Sequence, residues 1–407
     1  MDGPTTGARW RAGQLAGWLL TAVVLAYATW FFGFATAHDG PIATLPVRIL
    51  AADAPIDERA TMIDRLRAQP ARLANRTGLD RPTTWMMVEI PPAPPGAERT
   101  IQLSEKNVSR GDAILLDRNQ EPLLIAAFGI ALEPSGSRRA LPGYAIDLPA
   151  HRPGPTGIEE PALAGEPLPA GRLTLLVRIE PSGATQSLAA QLWDRREFGE
   201  AQSGSQQRLN TLTGALMLLA VYAITAALAG RVWYLLVFAF WLVARCGFVI
   251  GSAGFDYFSF GTAAGGAVGL GLRQLAMVSF PCAGALLVWT LMQDELRGTL
   301  ARRLLHGVTV ASCWATAAVA FLPVPGFQAT LWVVSGLVIL SILLVVLTGL
   351  RRPASTATPW YLAGLLLDAA AASNELLAAT GVYVSPLPWF NLQQVSLLSA
   401  MLTGMAV

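Results

Sequence analysis

Hydrophobic and polar positions divide the chain into three stretches with different periodicities. The first is an apolar run from Leu15 to Phe34, preceded by Arg9 and Arg11 and followed by Ala35-Thr36-Ala37, an A-x-A-like cleavage site. The run is long for a signal peptide, so residues 1–37 read equally as a cleaved signal peptide or an uncleaved signal anchor. Either one exports the segment after it. From His38 to Arg208 the apolar segments become short and are bounded by Pro, Gly and Asp; 19 of the 27 prolines fall here. Residues 54–68 have the pattern of a short helix. After them come "TTWMMVEI", "RTIQLS", "AILLD", "PLLIAAFGIAL", "YAIDL", "RLTLLVRIE" and "QSLAAQLW". Strands of this length separated by turn signals predict an antiparallel β-sandwich or jelly roll over 38–208. "PLLIAAFGIAL" also has helical character at its start, and the Pro/Gly tract 152–171 reads as a loop.

Beyond Arg208 the apolar runs become long enough to cross a bilayer, which takes about 20 residues of helix. Seven are expected within 209–407, at about 209–229, 232–252, 271–292, 304–322, 327–350, 359–380 and 388–407. "PVPG" at 323–326 separates the fourth from the fifth. The expected fold is a multidomain α + β membrane protein, an exported sandwich followed by a seven-helix transmembrane bundle. Arginines orient it. With the sandwich outside, Arg231, Arg297, Arg302, Arg303, Arg351 and Arg352 fall in inner loops, and only Arg273 falls on the outer side. That asymmetry places the end of the seventh span in the cytoplasm.

Composition agrees with this division. The chain is 53% hydrophobic and only 14% charged, and its net charge of +2 gives no case for nucleic acid as a partner. Residues 38–208 hold 19 Lys/Arg and 21 Asp/Glu, whereas 210–407 hold 8 Arg and 5 acids. Cys246, Cys282 and Cys313 all lie in the apolar part, so no disulfide framework is expected outside it. His38, His151 and His306 lack partners at metal-ligand spacing, and no metal or other cofactor is implied. "GTAAGGAVGLG" lacks the Lys-Ser/Thr of a phosphate loop, and no G-x-S-x-G elbow occurs. The chain as given is therefore not expected to be an enzyme.

Two groups of residues carry candidate chemistry. In the exported segment, Trp85, Tyr144 and Trp193 could stack on a sugar ring, although core packing is the simpler role for the two tryptophans. In the sixth span, Asp368 and Glu375 are seven residues apart, about 700° around a helix, and so share a face beside Asn374. Ionised side chains at that depth face the bundle interior and find partners. Arg245, in the second span, lies within about 6 Å of either acid along the membrane normal. The four residues form a candidate intramembrane coupling cluster. It is either a structural ion pair or a polar switch that responds to the exported domain.

Several stretches resemble the bacterial seven-transmembrane receptors with diverse intracellular signalling modules. "TTWMMVEIP" is similar to that family's opening tryptophan strand, and "LPAGRLTLLVRIEPSGATQSLAAQLWDRREF" to the closing strands of its exported jelly roll. "RLNTLTGALMLLAVYAITAALAGRVWYLLVFAFW" resembles its first two spans, and "QQVSLLSAMLTGMAV" its last. The resemblance implies a receptor in a bacterial inner membrane, sensing an extracytoplasmic small molecule or carbohydrate. It also implies a homodimer and a cytoplasmic effector, a diguanylate cyclase first and a histidine kinase second. Neither a GG-D/E-EF signature nor a kinase histidine box occurs in these residues. The rival reading is a transporter or channel with an exported binding domain, although no repeat relates the two halves of the bundle.

Overall fold

A computed structural model describes residues 41–73, 75–76, 83–94, 97–103, 110–128, 139–140, 145–148, 173–180, 187–253, 267–293, 296, 300–319, 321–322, 324–349, 358–379 and 392–406. The candidate signal or anchor at 1–37, Tyr144 and the proline tract 152–171 lie outside these residues.

Twelve strands occur among the described residues: β1 (Ala43–Leu45), β2 (Val47–Ala51), β3 (Asn75–Arg76), β4 (Thr84–Ile90), β5 (Arg99–Leu103), β6 (Arg110–Leu116), β7 (Pro122–Phe128), β8 (Arg139–Ala140), β9 (Ala145–Leu148), β10 (Leu173–Glu180), β11 (Ser187–Leu188) and β12 (Ala190–Asp194). One sheet runs β2-β4-β10-β6-β7-β8, antiparallel except for the β7/β8 pair, and a second antiparallel sheet runs β1-β12-β5-β9. Strand periodicity explains how they meet. Met86, Val88 and Ile90 of β4 alternate with Trp85, Met87 and Glu89, so one set faces the second sheet and the other faces away. The inward set joins Leu175, Val177 and Ile179 of β10 and Ile101, Leu103, Ala190 and Leu192 of the second sheet in one shared core. "PLLIAAFGIAL" starts as a strand: β7 pairs with β6 through a turn in which the Asp117 carboxylate accepts from the Asn119 and Glu121 amides, each at 2.8 Å.

The sequence reading passes over 43–51, where β1 and β2 lie. Pro46 interrupts that run, and the chain changes sheets there: β1 pairs with β12 and β2 with β4. A turn of 3-10 helix, Ile56–Glu58, then leads into helix α1 (Arg59–Arg67), whose Met62, Ile63 and Leu66 cover the outward face of the larger sheet.

Among the described residues seven long helices come next: α2 (Arg195–Gly230), α3 (Trp233–Ala253), α4 (Ala267–Met292), α5 (Leu300–Val319), α6 (Val324–Gly349), α7 (Thr358–Ala379) and α8 (Leu392–Ala406). By length and composition, α2, α3 and α4 could each cross a membrane. Each helix packs on the next, and α8 returns to pack on α2 and α3. On α2 the buried residues Leu209, Leu212, Leu216, Ala220, Ala223 and Ala227 recur every three or four positions, which marks one inward face. The opposite face is apolar as well: Leu218, Tyr222 and Leu228 are exposed. An apolar exterior is what lipid contact requires and water contact disfavours.

Helix α2 departs from the sequence reading. Its apolar part begins near Leu209, as expected, but the helix itself starts at Arg195, directly after β12. Residues 195–208 are polar, with Gly199 and Gly204 among them, and by sequence they read as the end of the exported segment. Two physical effects make them helical. Asp194 caps the first turn, accepting from Arg196 N at 2.9 Å and Glu197 N at 3.4 Å. Downstream, an already formed apolar helix supplies the nucleus, so each added residue costs only propagation. At 36 residues, α2 is about 54 Å long, far more than one crossing needs.

The helix start is also fastened to the smaller sheet. The Arg195 amide donates to Glu98 O at 3.1 Å, and its guanidinium lies 3.5 Å from Asp147 and 3.6 Å from Glu98. The Asp147 carboxylate is itself held by the Thr100 hydroxyl at 2.7 Å. Replacing Asp194 with alanine is expected to cost about 1 kcal/mol of local helix stability. Faster hydrogen exchange at the Arg196 and Glu197 amides, with β12 unchanged, is the readout.

Candidate functional site

An ion pair lies in the interior of the bundle. Arg245 sits thirteen positions into α3, on a stretch of otherwise apolar residues, and only 1% of it is exposed. Asp368, on α7, is the acid it meets. Arg245 Nη1 donates to Asp368 Oδ2 and Nη2 to Oδ1, both at 2.7 Å, a two-pronged pair across the bundle interior. The planar guanidinium fork matches the carboxylate at both oxygens, the strong form of this contact. Nη1 also donates to the Ser399 hydroxyl of α8 at 3.3 Å, and that hydroxyl donates in turn to Gly364 O of α7 at 3.3 Å. The cluster therefore ties α3, α7 and α8 together.

Aromatic rings complete the arginine's surroundings. The guanidinium carbon lies 4.9 Å from the Trp241 ring centre, one turn back on α3, and 5.4 Å from the Phe280 ring centre on α4. A desolvated cation over two rings gains from their quadrupoles, by ~2 kcal/mol in favourable cases. Close backbone approach makes the geometry possible. A Cβ on Gly364 would stand 2.8 Å from the Thr403 hydroxyl and 3.2 Å from Ser399 O, so only glycine lets α7 lie this close to α8. Two buried polar atoms at the cluster lack partners among the described residues, Arg245 Nε and the Tyr361 hydroxyl. Tyr361 lies two turns before Asp368 on α7, on the same face.

Asn374 lies half-buried further along α7. Glu375 falls in the same helix, but its side chain is outside the described residues. Sequence reasoning named Arg245 and Asp368 and missed Tyr361, Ser399, Trp241 and Phe280. A signal for Ser399 was present: Ser396, Ser399 and Thr403 recur at helical spacing, and all three are buried on α8. The cluster is a two-pronged ion pair shielded from solvent. Among the described residues no group of His, Cys, Asp or Glu could hold a metal ion.

The candidates in the sandwich separate from one another. Trp85 is wholly buried, facing away from the second sheet and covered by Met62, Ile63 and Leu66 of α1. It has no face to offer a sugar ring in this conformation, although its Nε1 lacks a partner among the described residues. Trp193 is half-buried on the outer face of β12. It meets Phe198 of α2 edge to face, with ring centres 5.9 Å apart, and so belongs to the strand–helix junction. Tyr144 lies outside the described residues. A polar row that the sequence reading did not single out lies beside Trp85. Arg178 stands opposite both Trp85 and the buried Asp112 in the sheet register, and it reaches Glu180 at 3.0 Å and Asp112 at 3.6 Å.

A scan against protein-family models matches none, and a search of curated proteins finds no significant match.

Proposed function

We propose that this chain is the input half of a membrane signal receptor. The exported sandwich, a jelly roll in this reading, takes up a small molecule or carbohydrate outside the inner membrane. The seven helices carry the change to a cytoplasmic effector, a diguanylate cyclase or, second, a histidine kinase. Both outputs act on paired domains, so the receptor works as a symmetric homodimer.

The observation that carries this reading is the junction of β12 with α2. A domain that only delivers solute to a carrier needs a compliant tether. Here the last strand continues without a loop into a helix longer than the bilayer, and Arg195 and Asp194 fasten its start. A displacement or rotation of the smaller sheet has a stiff path inward.

The test exploits helical phase. In a fusion of the chain to a diguanylate cyclase catalytic domain, alanines inserted between Gly204 and Ser205 turn the sandwich against the bundle by about 100° per residue. Cyclic di-GMP output is expected to change with one to three insertions and to return towards the original level with seven. Output that ignores the insertions would sink the receptor reading. The alternative, a transporter or channel with an exported binding domain, is favoured only by the buried ion pair, since intramembrane charges also mark solute paths. Loss of solute uptake in Arg245→Met, with the fold intact, would favour it.

A further inference from the structure

Away from the central cluster, α4 and α5 part to leave an open groove of about 390 Å³. Leu286, Trp289, His306, Val310, Cys313 and Trp314 line it. Its two ends differ in chemistry. At one end the Arg302 guanidinium lies 5.8 Å from the Trp289 ring centre, and the His306 ring lies 4.9 Å from the same indole. Arg303, the next residue along α5, is exposed. Moving along α5 from His306, the lining becomes Val310, Cys313 and Trp314, about 12 Å of apolar surface. Trp314 is 73% exposed, so this wall faces the bundle's surroundings and not its interior. Thr309 lines the groove floor, and the opposite face of α5, with Ala301, Leu305 and Ser312, is buried in the bundle.

A cationic end joined to an apolar channel is complementary to an amphiphile with an anionic head and a hydrocarbon tail. The groove is open along its side, as entry from a bilayer requires. Its basic end lies at the start of α5, on the side that the arginine asymmetry of the sequence assigns to the cytoplasm, where inner-leaflet headgroups are expected.

We propose that the α4/α5 groove binds one anionic phospholipid of the inner leaflet, its phosphate held by Arg302 and His306 and an acyl chain laid along Val310, Cys313 and Trp314. The proposal rests on the membrane-spanning reading. The bound lipid would bridge two helices that the ion-pair latch does not join, and so add a lipid-dependent term to bundle packing.

Lipid-selective quenching tests it. The purified full chain in nanodiscs is given phosphatidylglycerol or phosphatidylcholine brominated on the acyl chain, and tryptophan fluorescence is followed. The fraction lost in Trp314→Phe reports on the groove. Brominated phosphatidylglycerol is expected to quench that fraction at several-fold lower mole fraction than phosphatidylcholine. Arg302→Ala should erase about fivefold of the preference, while Arg302→Lys keeps most of it. Equal quenching by both lipids, or a preference unchanged in Arg302→Ala, would overturn the site while leaving the membrane reading standing. Relief of quenching by millimolar inorganic phosphate would assign the basic end to a free anion and refute the lipid. Quenching of other tryptophans with none from Trp314 would mean that a second copy of the chain covers the groove. If no tryptophan is quenched by either lipid, the membrane-spanning reading itself fails.

Discussion

Asp368→Ala is expected to destabilise the bundle by about 3–5 kcal/mol, because it leaves the Arg245 guanidinium charged, buried and without its partner. Arg245→Ala should cost a similar amount from the other side. The informative variant is the double one, Arg245→Met with Asp368→Leu, which replaces two charges by apolar groups of similar bulk. Buried pairs exchanged in this way are often neutral or stabilising, since neither ion has to be desolvated. The double variant is therefore expected to melt at or above the parent temperature in thermal unfolding of the purified chain in nanodiscs. It also separates a purely structural role of the pair from the signalling role proposed above. In the fusion to a cyclase domain, a double variant that is stable but no longer couples the sandwich to cyclase output would show that the pair is retained for switching. A double variant that signals normally would reduce the pair to a packing device. Single-variant losses under about 1 kcal/mol would mean that water reaches the cluster.

Trp85→Ala is expected to be as damaging in the sandwich, about 3–5 kcal/mol, through loss of a large buried ring and the cavity left under α1. Trp85→Phe should cost far less. It keeps most of the ring and removes an indole N–H that has no partner among the described residues. This pair of variants separates packing from recognition. A core residue gives an Ala variant with low yield and early unfolding and a Phe variant close to the parent in both. A ligand-stacking residue would give two stable proteins that differ in ligand response. The burial beneath Met62, Ile63 and Leu66 supports the first outcome.

Features that depend on neighbours along the chain are legible in its residues alone. Apolar runs of about 20 residues mark where the long helices lie, apart from the polar start of α2, because helix hydrogen bonds are local. Period-two segments place most strands for a similar reason, and an acid within an apolar helix such as Asp368 has to seek a partner because an unpaired buried charge is costly. Which groups meet is settled by packing. Arg245 has two acids at comparable depth, and the packing of α3, α7 and α8 brings it to Asp368. Ser399, Trp241 and Phe280 are common residues of apolar helices and become a cluster only when three faces converge. Trp85 could face either side of its sheet. Alternation shows that its neighbours point the other way, but only the position of α1 says which side is the inter-sheet core. The polar start of α2 has little helical preference of its own, and its helicity comes from the Asp194 cap and the apolar helix beyond it. Periodicity is written in single residues and their near neighbours. Partner choice depends on surfaces far apart in the chain, and no local pattern encodes which of them will touch.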